Sequence, residues 1–205
     1  DCDIKHDGEI VLSEKIKING AGHIVVDWID FHMTRINPKV PPHAKKVFSG
    51  EIFNVYQWKQ EMFDGSTMIF EKLARPDTVS IIPVVGYQIM MQKESQPGSK
   101  EAIVLPGGRV DDGEDMQLAA KRELLEETGL VSDDWELFFE VRPVSKMDWT
   151  ITTFIARNCK KVAEPKPDAG EKIEPYPVGF EEFFGLMHKY FYFAQKDEFK
   201  KRLFG

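Results

Sequence analysis

The stretch LPGGRVDDGEDMQLAAKRELLEETGL, residues 105–130, decides the fold. It opens on a Pro-Gly-Gly turn, predicts a helix over residues 114–128 and then reaches Gly129, where a left-handed helix cap is expected. Five carboxylates fall on this one short helix: Glu114, Asp115, Glu123, Glu126 and Glu127. Like charges at helical neighbour spacing repel by about 0.2–0.5 kcal/mol per pair. Their concentration in one short segment therefore requires a cause.

Three of the carboxylates share one face of the predicted helix. At about 100° per residue, Glu123, Glu126 and Glu127 fall within an arc of roughly 100°. One interpretation is a solvated acidic face. The other is a site for a hard divalent cation such as Mg²⁺ or Mn²⁺, which prefers oxygen ligands. The preceding glycines favour the second interpretation, because they let the backbone turn sharply and approach a ligand.

The remaining residues of the helix predict which side packs on the core. Ala119 and Ala120 lie one turn earlier on the acidic arc and would leave room for an ion. Leu118 and Leu125 lie on the opposite side, which we expect to face the core.

Composition excludes some classes of function. The chain has 205 residues and a net charge of −7, which argues against nucleic-acid binding because phosphate contacts need clustered Lys and Arg. No apolar run approaches the roughly 20 residues of a membrane span, and no segment resembles a signal peptide. Cys2 and Cys159 are isolated, as expected of free thiols in a reducing compartment, so we expect a cytoplasmic protein.

The order of elements predicts an α+β sandwich. Residues 1–45 form an N-terminal extension with two weak strand-like stretches, 9–18 and 23–31, and a proline-bearing linker. Residues 46–205 form the main domain, beginning with a hairpin of residues 50–60 and 66–74 around a turn. Further strands are predicted at 78–86, 87–94, 102–106, 135–144, 149–157 and 172–178, and closing helices at 180–191 and 196–204.

The acidic helix carries a family resemblance. Gly108, Glu114 after five residues, and the run RELLEETGL after seven more are similar to the Nudix hydrolase box at every defined position. This resemblance implies a Nudix α/β/α sandwich with a mixed β-sheet over about residues 47–205. It also implies a Mg²⁺-dependent hydrolase, with Mn²⁺ as a possible substitute.

Family roles carry over to the matching positions only. By resemblance, Glu123, Glu127, Glu126 and the carbonyl of Gly107 would bind the metal, and Glu126 could instead act as the base. Four further residues would support the site, with Glu114 and Arg122 forming an ion pair; they are Gly108, Glu114, Arg122 and Gly129.

Two other segments resemble ADP-ribose pyrophosphatases. In PKPDAGEKIEPYPV, residues 165–178, the resemblance implies a catalytic Glu171, with Glu174 second and a solvated loop acid as the alternative. In MIFEKLARPDTVSIIPV, residues 68–84, Phe70, Glu71 and Arg75 match nucleotide-holding positions. Ordinary strand packing is the alternative for Phe70, and Trp58 is a weaker candidate for stacking on a base.

The implied function is hydrolysis of a nucleoside diphosphate linked to another moiety, either ADP-ribose or a nucleotide sugar. Gln92-Lys93-Glu94 and Val104 depart from the ADP-ribose subgroup, so other substrates stay open. The alternatives are house-cleaning of oxidised or non-standard nucleoside triphosphates, and a non-catalytic nucleotide sensor. Resemblance to the subgroup also implies a homodimer in which N-terminal strands exchange between subunits.

Overall fold

The computed structural model describes residues 39–167, 170–187 and 196–205, together with four short strands nearer the N-terminus. These are β1 (Lys5–His6), β2 (Glu9–Ile10), β3 (Ile16–Ile18) and β4 (Ile24–Val26). β1 pairs with β2 and β3 with β4, both antiparallel. The chain forms two compact units, Asp1–His32 and Met33–Gly205. This division lies upstream of the domain boundary predicted at residue 45, and that boundary stays a prediction. Apart from these four strands, the two predicted strand-like stretches 9–18 and 23–31 lie outside the described residues.

The second unit contains twelve further strands and three helices among its described residues. In chain order the strands are β5 (Lys45–Ser49), β6 (Asn54–Glu61), β7 (Thr67–Ala74), β8 (Thr78–Val85), β9 (Gln88–Ser95), β10 (Ala102–Val104), β11 (Leu130–Val131), β12 (Asp134–Val141), β13 (Met147–Asp148), β14 (Ile151–Arg157), β15 (Lys160–Lys161) and β16 (Lys172–Val178). The helices are α1 (Met116–Thr128), α2 (Phe180–Met187) and α3 (Lys196–Phe204).

The central sheet is mixed and has six strands. β12 pairs antiparallel with β14, and β14 pairs parallel with β8. β9 follows β8 and pairs antiparallel with both β10 and β16. β8 is central, as its continuous apolar sequence predicts, because a strand covered on both faces needs no polar alternation.

β8 and β9 separate soon after their turn, which opens the sheet for the glycine turn. They pair only at Val84 and Val85. Beyond that point the chain after β10 runs beside β8, with the Ile81 N–H donating to the Pro106 carbonyl at 2.8 Å and the Val79 N–H to the Gly108 carbonyl at 2.9 Å. The Gly-Gly turn is therefore fixed to the middle of the central sheet.

Helices cover both faces of this sheet, which confirms the predicted α/β/α sandwich. α1 packs on one face with Val79, Ile81 and Phe154. α2 and α3 pack on the other face through a phenylalanine-rich core that includes Phe183 and Phe199. The predicted end of the first closing helix, residues 188–191, lies outside the described residues.

The predicted orientation of α1 is wrong. Leu118 and Leu125 are 59% and 38% exposed, whereas Ala119, Ala120 and Leu124 are fully buried against the sheet. Small alanines let the helix approach the strands closely, and this close approach also draws the end of the acidic arc into the protein. α1 begins at Met116 rather than 114, because the Asp115 carboxylate caps it by accepting from the Gln117 and Leu118 N–H groups.

A second, four-stranded sheet has the order β13-β7-β6-β5. The predicted hairpin is its centre, with Trp58 directly opposite Phe70 in the β6–β7 register. Within the part of the chain that the structure describes, no helix combines the length and apolar character needed to cross a bilayer.

Candidate active site

Glu127 is the most buried carboxylate at the end of α1. The residue is 6% exposed, and its Oε2 accepts the Gly107 N–H at 2.8 Å and the Gln92 Nε2 at 3.1 Å. Burial raises the pKa of Glu127 to about 8, against the opposing effect of these two hydrogen bonds. A carboxylate held in this way favours a bound proton or a bound cation over an isolated charge.

Glu123 lies one turn earlier against the next glycine. A Cβ added at Gly108 would come within 2.5 Å of the Glu123 Oε1, so a side chain at this position would displace the carboxylate from its place. Burial is also the main cause that raises the pKa of Glu123. Gly107 has φ 151°, and a Cβ there would lie 2.1 Å from the Val79 carbonyl oxygen. The two glycines therefore shape the cradle in which both carboxylates sit.

Arg122 organises the entrance to the cradle. Its Nε and Nη2 donate to the two oxygens of Glu114, each at 3.0 Å, which is the ion pair expected from the sequence. Its Nη1 bridges Glu123 at 2.8 Å and Glu126 at 3.2 Å, and its Nη2 also donates to the Arg109 carbonyl. These carboxylates hold the pKa of Arg122 above its usual range, so the guanidinium stays charged.

The cap at Gly129 fixes the C-terminal end of the acidic helix. Gly129 adopts φ 71°, and its N–H donates to the Leu125 carbonyl. A Cβ at this position would lie 2.0 Å from the Ala163 carbonyl oxygen, so the chain packs tightly where the helix ends.

The carboxylates of α1 fit a hard divalent cation by the chemistry of their donors. Glu123 and Glu127 offer oxygens in a cradle that a side chain at position 108 would fill. Among the described residues, however, no three acidic, His or Cys side chains already converge as a coordination shell, since Glu123 and Glu126 turn toward Arg122. The Glu126 side chain is 49% exposed, so it has room to turn toward a cation. The Gly107 carbonyl stays a predicted ligand.

Glu171 lies close enough to the cradle to act on it electrostatically. Its charge is among the causes that raise the pKa of both Glu123 and Glu127. Its Oε1 accepts from Gln96 Nε2 at 3.2 Å, and the same amide group donates to Glu94 at 2.7 Å. The runner-up, Glu174, lies opposite Lys93 in the β16–β9 register and is exposed.

Arg75 lies beside two aromatic rings, directly after the end of β7. Its guanidinium lies 4.6 Å from the ring centroid of Trp149 and 5.9 Å from that of Phe53. Its Nε is buried and has no hydrogen-bond partner within the described structure. Trp149 is itself held in place by donating to the Thr78 hydroxyl at 2.9 Å.

The other predicted substrate residues lie on the second, four-stranded sheet. Trp58 and Phe70 pack edge to face at 5.9 Å, and Glu71 is exposed and accepts from Gln57. Within the described residues, no hydrogen bond or ring contact joins Trp58 or Phe70 to the α1 carboxylates. For these two aromatic residues, the packing interpretation accounts for every contact found.

The sequence predicts no role in the site for Gln92, and for Trp149 it favours packing, with lining of the pocket as the alternative. The structure brings both residues to this region. Gln92 contacts Glu127 across 35 positions of the chain, and Trp149 contacts Thr78 across 71. The signal that could have identified Gln92 is a polar residue directly after the apolar run IMM in a strand.

Comparisons with known proteins agree with this geometry. Residues 74–201 match the protein family described as the NUDIX domain. The chain is 27% identical over 122 residues to a methanol dehydrogenase activator of Bacillus methanolicus, and 30% identical over 87 residues to an ADP-ribose pyrophosphatase of Bacillus subtilis. These alignments cover 58% and 42% of this chain, and 65% and 47% of the relatives, so less than two thirds of each relative is matched.

A solved structure shares the fold. The crystal structure of an ADP compounds hydrolase superposes with a TM-score of 0.60 at 21% identity, covering 72% of this chain and 81% of the other. At that identity the likeness establishes the architecture alone.

Proposed function

The chain belongs to the NUDIX family, and we propose that it is a metal-dependent hydrolase of a nucleoside diphosphate linked to another moiety. ADP-ribose or a nucleotide sugar is the proposed substrate, with a nucleoside monophosphate and a phosphorylated group as products. The observation that carries this proposal is the cradle in which Glu123 and Glu127 lie against two glycines, since a side chain at Gly108 would displace Glu123 and one at Gly107 would clash with the backbone of Val79. The similarity to an ADP-ribose pyrophosphatase supports the substrate class.

The residues of the cradle have distinct proposed tasks. Bound Mg²⁺, or Mn²⁺ in its place, would neutralise the diphosphate and lower the pKa of a water molecule. Glu123 and Glu127 would hold the cation, with Glu126 as an additional ligand. The position of Arg122 supports this assignment. Its guanidinium lies between Glu123 and Glu126, so these two carboxylates already bind one positive charge together.

A carboxylate must also accept the proton of the attacking water, which contributes typically about 10²–10⁴-fold. Glu171 is the better of the two candidates, because it lies outside α1 and its charge still acts on both cradle carboxylates, Glu123 and Glu127. Glu126 already accepts a hydrogen bond from Arg122 Nη1 at 3.2 Å, so one of its oxygens is occupied.

Arg75 is the proposed phosphate-binding residue. Its contact with the Trp149 ring holds the guanidinium in place, and a planar guanidinium matches the oxygens of a phosphate. Its buried Nε without a partner supports a role beyond packing.

The decisive experiment is hydrolysis of a panel containing ADP-ribose, nucleotide sugars, dinucleotides and oxidised dGTP, in Mg²⁺ and then Mn²⁺, with products identified by mass. We expect AMP and a sugar phosphate from ADP-ribose. Preference for a triphosphate, with pyrophosphate released, would replace this function by house-cleaning of nucleotides. Binding without hydrolysis across the panel would instead assign a nucleotide sensor.

Glu127→Gln is the control for the metal. The neutral amide keeps the size of the side chain but removes the charge that binds a cation. We expect the variant to lose both Mn²⁺ binding and turnover, and a fully active variant would refute metal-dependent hydrolysis at this site.

We also propose a cytoplasmic homodimer. The second sheet supports dimerisation, because Phe48, Ile69 and Leu73 are 58%, 60% and 37% exposed, and strand alternation places Ile69 and Leu73 on one face. The buried free thiol of Cys159 supports a reducing compartment.

A further inference from the structure

Gln92 is a polar side chain in the middle of the central sheet. It lies on β9 between Val104 of β10 and Pro175 of β16, and it is 1% exposed. A buried amide is costly unless its donor and acceptor atoms are satisfied. An apolar residue would suit this strand better, so the amide needs a reason.

The amide nitrogen of Gln92 binds Glu127. Gln92 Nε2 donates to Glu127 Oε2 at 3.1 Å, and the Gly107 N–H donates to the same oxygen at 2.8 Å. Two donors on one oxygen fix the rotation of the carboxylate. Glu127 Oε1 accepts no hydrogen bond from the described residues, so this second oxygen is the one left for a cation.

The amide oxygen of Gln92 has no hydrogen-bond partner among the described residues. Gln92 Oε1 is buried and accepts no hydrogen bond within the described structure. Reversing the amide would turn this oxygen toward the Glu127 carboxylate, where two acceptors would repel each other. Glu127 therefore sets the orientation of the Gln92 amide, and in this orientation Gln92 Oε1 is left without a hydrogen bond within the described structure.

We propose that Gln92 is a positioning residue for the metal site, which turns Glu127 so that one carboxylate oxygen faces the cation. This proposal rests on the proposed metal dependence. It assigns to Gln92 no contact with the reacting atoms. Residues that orient a metal ligand from behind typically change metal affinity about 10–100-fold when replaced.

The test compares Gln92→Met, Gln92→Asn and Gln88→Met. Met keeps the length of the side chain without its hydrogen bonds, and Asn keeps the amide but is one methylene too short to reach Glu127. Gln88 lies on the same strand, is exposed and is assigned no part in the site, so its variant is the matched control. Affinity for Mn²⁺ is measured by calorimetry without substrate, and thermal unfolding is followed in EDTA.

We expect both Gln92 variants to bind Mn²⁺ at least tenfold more weakly than the wild type and Gln88→Met, while each still unfolds cooperatively in EDTA. Their kcat should recover toward the wild-type value at saturating Mn²⁺, with KM for substrate little changed. Wild-type affinity in Gln92→Asn would overturn the proposal even if Gln92→Met fails to fold. A wild-type protein that binds no Mn²⁺ would overturn the metal-dependent function itself, and the positioning role with it.

Discussion

At the scale of single residues, Glu171 offers the clearest test of the chemistry. It lies outside α1, immediately before β16, yet its charge acts on both Glu123 and Glu127. We expect Glu171→Gln to lower kcat at least tenfold, because the amide cannot accept the proton from water. The free energy of unfolding should change by less than about 0.5 kcal/mol, as is usual for partly exposed loop residues. Glu174→Gln is the matched control, and near-normal turnover in Glu171→Gln would remove this residue from the mechanism.

Cys159 predicts how stability depends on pH. Burial is the main cause that raises the pKa of its thiol to about 11 from 9.0, and Sγ donates to the Ala156 carbonyl. The folded state therefore favours the neutral thiol. The stability that this preference contributes is complete below pH 9 and is lost as the pH rises toward 11. A difference of about two units corresponds to roughly 2–3 kcal/mol at most.

Urea unfolding of the wild type and Cys159→Ala at pH 8 and pH 10.5 measures this effect. Alanine cannot titrate, so the wild type should lose more stability than the variant between the two pH values. Lysine and tyrosine titration affects both proteins and cancels in the comparison. Equal losses would show that the thiol ionises as easily in the folded chain as in the unfolded chain.

At the scale of elements, α1 separates what sequence spacing determines from what packing determines. Its position, its cap at Gly129 and the convergence of Glu123 and Glu127 follow from spacing, because the helix period alone places these side chains together. Its orientation does not follow from hydrophobicity, since the helix buries Ala119 and Ala120 and exposes Leu118. Close approach to β8 favours small residues, and that distance is set by a sheet whose strands are remote in sequence.

Long-range contacts limit sequence reasoning in the same way. Gln92 meets Glu127 only because β9 diverges from β8 and leaves space for the glycine turn. Trp149 meets Arg75 because β13 pairs parallel with β7, which places Asp148 opposite Ala74. No local sequence pattern predicts either contact, because each depends on how strands that are distant in sequence pair in the folded sheet.

The corrected orientation of α1 predicts an ordering of stabilities. Ala120→Leu adds volume to a fully buried contact with the sheet and should cost about 1–3 kcal/mol in the free energy of unfolding. Leu118→Ala changes an exposed side chain and should cost less than about 0.5 kcal/mol. Urea unfolding of both variants checks the ordering, and a larger loss for Leu118→Ala would restore the orientation first expected from the sequence.

At the scale of the whole molecule, the second sheet predicts the oligomeric state. Ile69 and Leu73 share a face of β7, and Leu73 lies opposite Val55, which in turn lies opposite Phe48 on β5. Such a row of apolar side chains across three strands exposes surface that a second copy of the chain can bury. We expect a dimer by light scattering at micromolar concentration. Ile69→Lys should weaken dimerisation at least tenfold, because burying an unpaired charge in an apolar contact is costly.

Val131→Lys is the control for that measurement. Val131 is also an exposed apolar residue, 38% accessible, but it lies on β11, outside the second sheet. A general effect of added charge would weaken association in both variants, whereas an interface on the second sheet predicts an effect of Ile69→Lys alone.

Because the α1 carboxylates make no described contact with Trp58 or Phe70 of that sheet, Mn²⁺ affinity should be unchanged in the Ile69 variant. A wild-type protein that stays monomeric at every concentration would contradict the homodimer and leave the second sheet without a partner in solution.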